Sequence, residues 1–256
     1  KSCICKFNLG LIYFEGKYIE RDINKAIYYL SLAANQNDSF AQNNLGNIYY
    51  EGKYIERNIN KAIYYYSLAA NQNHVSSQFN LGNIYSEGKY IERNINKAIY
   101  YYSLAVNQNY AFAQFNLGNI YYNGKYIERN INKAIYYYSL AANQNHAYAQ
   151  FILGSIYYEG KYIERNINKA IHYFSLAANQ NNSFAQNNLG AIYYEGKYIE
   201  RNINKAIHYY SLAANQNHAY AQNNLGVLYL EGELIPRDMN KSIHYFSLSA
   251  NQNHAD

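Results

Sequence analysis

A Leu-Gly pair recurs along this chain with a fixed period. It stands at Leu9-Gly10, Leu45-Gly46, Leu81-Gly82, Leu117-Gly118, Leu153-Gly154, Leu189-Gly190 and Leu225-Gly226, 36 residues apart each time. A second glycine follows each pair, at Gly16, Gly52, Gly88, Gly124, Gly160, Gly196 and Gly232, and these fourteen are all the glycines in 256 residues. A period of this length, without insertion or deletion, means one supersecondary unit copied seven times. Such a unit cannot bury its apolar face alone, so the copies must stack into one array.

The unit at 38–73 shows what is copied. Taking about 100° per residue, Ala41, Leu45, Ile48 and Tyr49 fall on one face, while Gln42, Asn43, Asn47 and Tyr50 fall elsewhere. Further along, Ile59, Ala62, Ile63, Tyr66, Ala69 and Ala70 share a second face, and Tyr64 and Leu68 point away. Both segments read as amphipathic helices, and no period-2 alternation suggests a strand. Gly52 stands where the first helix must end in a left-handed residue, and Asn73 is placed to do the same for the second. Asn58 precedes the second run as an N-cap. The short connection makes the two helices antiparallel neighbours. Gly46 and its equivalents are expected to mark close helix–helix contact, and Tyr49 and Tyr65 to fill the space between hairpins.

Composition narrows the class further. With 49% hydrophobic and 15% charged residues and 35 tyrosines, the chain is too apolar for a disordered segment. No apolar stretch is long enough to span a bilayer, and no leader is visible; a cytoplasmic location is expected, or the lumen of the endoplasmic reticulum if a signal precedes Lys1. Two cysteines exclude a disulfide scaffold. The net charge of +5 is a sum of small surpluses from loops that mix Glu51, Lys53, Glu56 and Arg57 with Lys61, which read as a solvated edge or a ladder of ion pairs.

Ala41, Leu45-Gly46, Tyr49, Gly52, Ile55, Asn58, Lys61-Ala62, Tyr66 and Ala69-Ala70 together resemble the Sel-one-like repeat family, a subclass of tetratricopeptide-like repeats. The match recurs in all seven copies. Tyr54 departs from the second loop glycine of that family, Asn58 from its Asp and Tyr65 from its Trp. The resemblance implies an all-α solenoid, a right-handed superhelix of seven helix-turn-helix repeats at about 1–37, 38–73, 74–109, 110–145, 146–181, 182–217 and 218–253. Neither end carries a polar capping helix, so the chain reads as a segment of a longer protein able to self-associate through uncapped ends, with His254-Ala255-Asp256 opening an eighth copy.

The resemblance also puts the first helix of each hairpin on the concave side. Three slots there vary between copies, and they supply the candidate partner-binding residues Asn43, Asn47, Tyr50, Phe79, Asn83, Phe115, Asn119, Tyr122, Phe151, Tyr158 and Tyr194. Aromatics offer contact area and amides offer hydrogen bonds to a partner backbone. The competing reading makes the slot of Asn43 and Phe79 a core edge. The expected function is a non-catalytic scaffold holding a protein or peptide. One alternative is a regulatory arm of a larger signalling enzyme such as a protein kinase; a weaker one is an RNA-binding array, against which the mixed charge argues.

No singular nucleophile–base pair or phosphate loop appears, so no enzyme, cofactor or metal is expected. His172, His208 and His244 share one slot but stand too far apart for one zinc. His74, His146, His218 and His254 read as exposed loop residues, and Cys5 as a buried small hydrophobe.

Overall fold

The computed structural model describes residues 3–252, and every regular element among them is an α-helix. They fall into two compact units, divided after Asn130. The first unit holds α1 (Cys3–Glu15), α2 (Ile23–Ala34), α3 (Ser39–Glu51), α4 (Ile59–Asn71), α5 (Val75–Glu87), α6 (Ile95–Asn107) and α7 (Ala111–Asn123). The second holds α8 (Ile131–Asn143), α9 (Ala147–Glu159), α10 (Ile167–Asn179), α11 (Ser183–Glu195), α12 (Ile203–Ala214), α13 (Ala219–Glu231) and α14 (Met239–Gln252). Inside each unit every helix packs on the next, α3 on α4 within a hairpin and α4 on α5 between hairpins. Each unit is therefore an α-solenoid segment. No helix among the described residues is long and apolar enough to cross a membrane.

Local chemistry places the helix ends. Asn58 Oδ1 accepts the Lys61 N–H at 2.9 Å and caps α4. Gly52 ends α3 at φ +62°, and a Cβ there would lie 2.6 Å from Arg57 Cβ and 2.9 Å from Arg57 Cα, so glycine is required twice over. Asn73 takes the left-handed conformation at φ 61° after α4. The next amide, His74 N–H, then reaches back to the Ala69 carbonyl at 3.1 Å.

The core is small residues around one large side chain per hairpin, Leu30 in the first and a ring in the later ones. Ala41, Leu45 and Ile48 of α3 pack with Leu30, Ala33 and Ala34 of α2. Ala62, Tyr66 and Ala70 of α4 pack with Leu81 and Ile84 of α5. Gly46 marks close contact between α3 and α4, as expected, and the contact is of backbone with a ring. It makes room for the Tyr66 side chain, because a Cβ there would lie 2.5 Å from Tyr66 Cδ1 and Cε1. Tyr49 and Tyr65 stack on each other within the hairpin, with centroids 5.8 Å apart and planes 3° from parallel. Gln42, placed off the core face by the helical period, is buried; its Nε2 donates to the Ala34 carbonyl at 3.1 Å and its Oε1 accepts from Gln72 at 2.7 Å. The same pairing joins Gln108 to Gln78, and in the second unit Gln180 to Gln150.

Several polar expectations are corrected. His74, His146 and His218 are N-caps rather than exposed loop residues: Nδ1 of each accepts an amide N–H three residues on, at 3.3, 3.2 and 3.3 Å. His218 is buried. The caps belong to a slot that Asp38 and Asn182 fill in other copies. Cys5 is exposed, not buried. Its equivalent Ala41 is covered by α2, whereas no described helix precedes α1. The loop edge is built from arginine–tyrosine contacts. Arg57 donates to the Tyr50 and Glu51 carbonyls at 2.8 and 2.9 Å and lies over the Tyr90 ring at 4.6 Å from its centroid. Arg21 does the same on Tyr54. His172, His208 and His244 are exposed, and no group of metal-ligating side chains exists among the described residues. Residues 254–256, expected to open another repeat, lie outside the described residues.

Candidate functional site

The first helix of each hairpin leaves one face uncovered by its neighbours. On α3 and α5 of the first unit this face carries amides in its middle and a glutamate at its end. Asn47, Tyr50, Glu51, Tyr66, Asn80, Asn83 and Glu87 line one pocket of about 360 Å³ there. A second, of about 530 Å³, is lined by Asn83, Glu87, Arg93, Asn116, Asn119 and Tyr126 among others. Of the candidate residues, Asn47, Tyr50, Asn83 and Asn119 thus come together at pockets in this unit. In the second unit Tyr158 lines a pocket with Ser155, Glu159, Asn188 and Ala191, and Tyr194 lines another with Glu195 and Tyr210.

The amides are tied to the core beneath them. The Tyr66 hydroxyl donates to Asn47 Oδ1 and the Tyr102 hydroxyl to Asn83 Oδ1, both at 2.7 Å. Asn116 Nδ2 adds a bond to Asn83 Oδ1 at 3.2 Å. Burial pushes the Tyr102 phenol up to about 12, so it stays a neutral donor at any ordinary pH. The oxygen of each amide is therefore used inward. The variation of this slot follows that bond: where Phe174 and Phe246 lack a hydroxyl, the same repeats carry Ser155 and Val227 in place of Asn.

The slot of Asn43 and Phe79 sits at the seam between hairpins. Asn43 Oδ1 accepts from Ser77 Oγ of the next repeat at 2.9 Å. Phe79 lies 5.9 Å from the Tyr102 ring and 5.2 Å from Tyr110, and Phe151 lies 6.0 Å from Phe174. Phe115 is half-buried on α7 and Tyr122 half-buried two turns on. Tyr50 packs edge-on against Tyr90, a contact of loop and helix end.

Two sets of exposed residues escaped the sequence reading. Phe40, Phe112, Tyr148, Phe184 and Tyr220 stand at the start of the first helices and are exposed, Phe40 by 62% and Phe184 by 52%. Each directly precedes a buried alanine, which was the available signal. The glutamates ending the first helices were assigned to a mixed loop edge, yet Glu51, Glu87, Glu159 and Glu195 border pockets. No ion pair joins Glu51, Glu87 or Glu195 to a cation among the described residues.

The Sel1 repeat model matches seven consecutive segments, 4–38, 39–74, 75–110, 111–146, 147–182, 183–218 and 219–254. Among solved structures, c5321, a protective antigen present in uropathogenic Escherichia coli strains and displaying an SLR fold, superposes with a TM-score of 0.90 at 29% identity. That match covers 99% of this chain and 54% of the antigen, so the chain spans about half of that relative's length. A Sel1 repeat protein from Oxalobacter formigenes superposes with a TM-score of 0.83 at 28% identity, covering 99% of this chain and 73% of that one. No curated protein matches the sequence significantly.

Proposed function

We propose, from the premise that this chain belongs to the Sel1 repeat family, whose members are generally helical protein-interaction scaffolds, that it binds an extended segment of a partner protein along the uncovered face of its first helices. The observation carrying this reading is the amide-lined pocket pair of α3, α5 and α7, where Asn47, Asn83 and Asn119 converge with Glu51 and Glu87. Asn47 and Asn83, whose oxygens are held by Tyr66 and Tyr102, keep their Nδ2 groups for an incoming carbonyl, in a fixed orientation. The mixed charge of the rims, Glu51 and Glu87 beside Arg93 and Lys125, supports a protein partner over RNA, which calls for cations clustered on one face.

The test is site-specific photo-crosslinking of the full chain in cells that express it. A benzophenone amino acid at Asn119 should capture a defined partner, and Asn83→Ala should reduce that capture. Capture from Tyr64 on the second helices, with none from position 119, would overturn the reading.

A further inference from the structure

Tyr210 breaks the bonding rule of the other repeats. It is only 2% exposed, like Tyr66 and Tyr102. Those two hydroxyls donate to Asn47 and Asn83 of their own hairpins. The residue of that slot opposite Tyr210 is Ala191, which accepts nothing. Among the described residues no protein group bonds the Tyr210 hydroxyl, and no fully buried polar atom lacks a partner. The Tyr210 oxygen therefore opens into the pocket it lines, of about 260 Å³, with Ala191, Tyr194, Glu195, Asn224, Val227 and Leu228.

The walls define what fits. Ala191, Val227 and Leu228 give an apolar lining suited to a methylene stem. At the polar end stand the Tyr210 hydroxyl, the Glu195 carboxylate and the Asn224 amide. Glu195 meets no cation among the described residues; its side chain receives only the Tyr158 hydroxyl, at 3.5 Å. The nearby Arg201 directs Nη2 to the Glu195 backbone carbonyl at 3.5 Å instead. Asn224 Nδ2 is turned to Asn187 Oδ1 at 3.3 Å, which leaves the Asn224 oxygen for the pocket. A hydroxyl, a carboxylate and an amide oxygen at the end of an aliphatic wall match the three N–H donors of an ammonium group. Tyr194 lines the pocket too, its hydroxyl donating to Glu231 at 3.3 Å.

We propose that this pocket of the second unit receives a lysine side chain of the partner. The inference rests on the reading of the first helices as a partner-binding face and adds the chemistry of one anchor. A guanidinium is planar and wider, and a phosphate or carboxylate would face Glu195, so lysine is the occupant.

The probe is Nα-acetyl-lysine amide, titrated into the full chain carrying labelled Val and Leu methyls and followed by NMR. Saturable shifts at Val227 and Leu228 are expected. Norleucine amide, which lacks the ammonium, and the Nε-acetylated lysine amide should each bind at least about tenfold more weakly, a difference of about 1.4 kcal/mol. Ala191→Asn restores the acceptor found in other repeats, so it should fold, satisfy Tyr210 and abolish the shifts. Tyr210→Phe should weaken them. No shifts from the lysine probe, equal binding by norleucine amide, tighter binding by an arginine amide, or full binding to Ala191→Asn would each overturn the proposal. Any of those results leaves the crosslinking test at Asn119 in the first unit untouched, so the two readings fail separately.

Discussion

Gly46→Ala should destabilise the chain even though it replaces the poorest ordinary helix former with the best. In an open helix the change gains about 0.8–1.0 kcal/mol. At this site the new Cβ would stand 2.5 Å from Tyr66 Cδ1 and Cε1, and 3.0 Å from Tyr66 Cγ. Ordinary carbon contact is about 3.5–4.0 Å, so the ring must move by about an ångström. It has little freedom to do so: it is 2% exposed, and its hydroxyl is bonded to Asn47 at 2.7 Å. Overpacking of this kind costs about 1–3 kcal/mol, and the tethered ring puts Gly46 near the upper end. The net loss should be about 1–2 kcal/mol once the propensity gain is subtracted. The decisive assay is a double-mutant cycle with Tyr66→Ala, read by urea denaturation with far-ultraviolet circular dichroism. In the Tyr66→Ala background the obstacle is gone, and Gly46→Ala should become stabilising by up to about 1 kcal/mol. A neutral or stabilising effect in the native background, or the same loss in both, would refute the account.

The capping histidines make stability depend on pH. Burial holds His74, His146 and His218 below their ordinary value of 6.5, and protonation would remove the Nδ1 acceptor that caps each helix. The unfolded chain then binds more protons than the folded one, so stability is full above about pH 6.5 and falls as pH drops below it. His218→Asn, the type found at Asn182, should flatten that fall by about 0.5–2 kcal/mol in melting experiments between pH 7.5 and 5; an unchanged pH profile would count against the cap. Asn145, at φ 60°, should tolerate glycine but lose about 1–2 kcal/mol on replacement by alanine, measured by the same denaturation. Equal stability of the two variants would mean the left-handed turn relaxes.

Much of the fold was legible because the copies repeat the same punctuation. Gly52, Asn58 and Asn73 act where their residue types predict, through backbone conformation and local hydrogen bonds that reach no further than a few residues. The apolar period likewise found Ala41, Leu45 and Ile48. What it passed over is polar and buried. Gln42 scores as a surface residue, yet its partner is Gln72 thirty positions on, and only stacking brings them together. His74 and its equivalents look like loop residues until their slot is compared with Asp38 and Asn182, all of them N-cap acceptors.

The candidate site was legible only in outline, for a physical reason that its own residues show. A side chain on the uncovered face of a first helix has two ends of interest. The oxygen of Asn83 serves Tyr102 below, while the rest of the amide borders the pocket above. Comparison of copies registers both demands as one pattern of variation. Ser155 opposite Phe174 varies because the core changed: no hydroxyl remains to be bonded. Ala191 opposite Tyr210 varies although the hydroxyl is still there, so the core cannot account for it. Subtracting the first kind of change from the second isolates the position where an outside group is called for. That subtraction requires knowing that slots nineteen residues apart face each other, as Tyr66 and Asn47 do. The period reveals the slots; only the packed hairpin reveals which of them answer to each other and which answer to a partner.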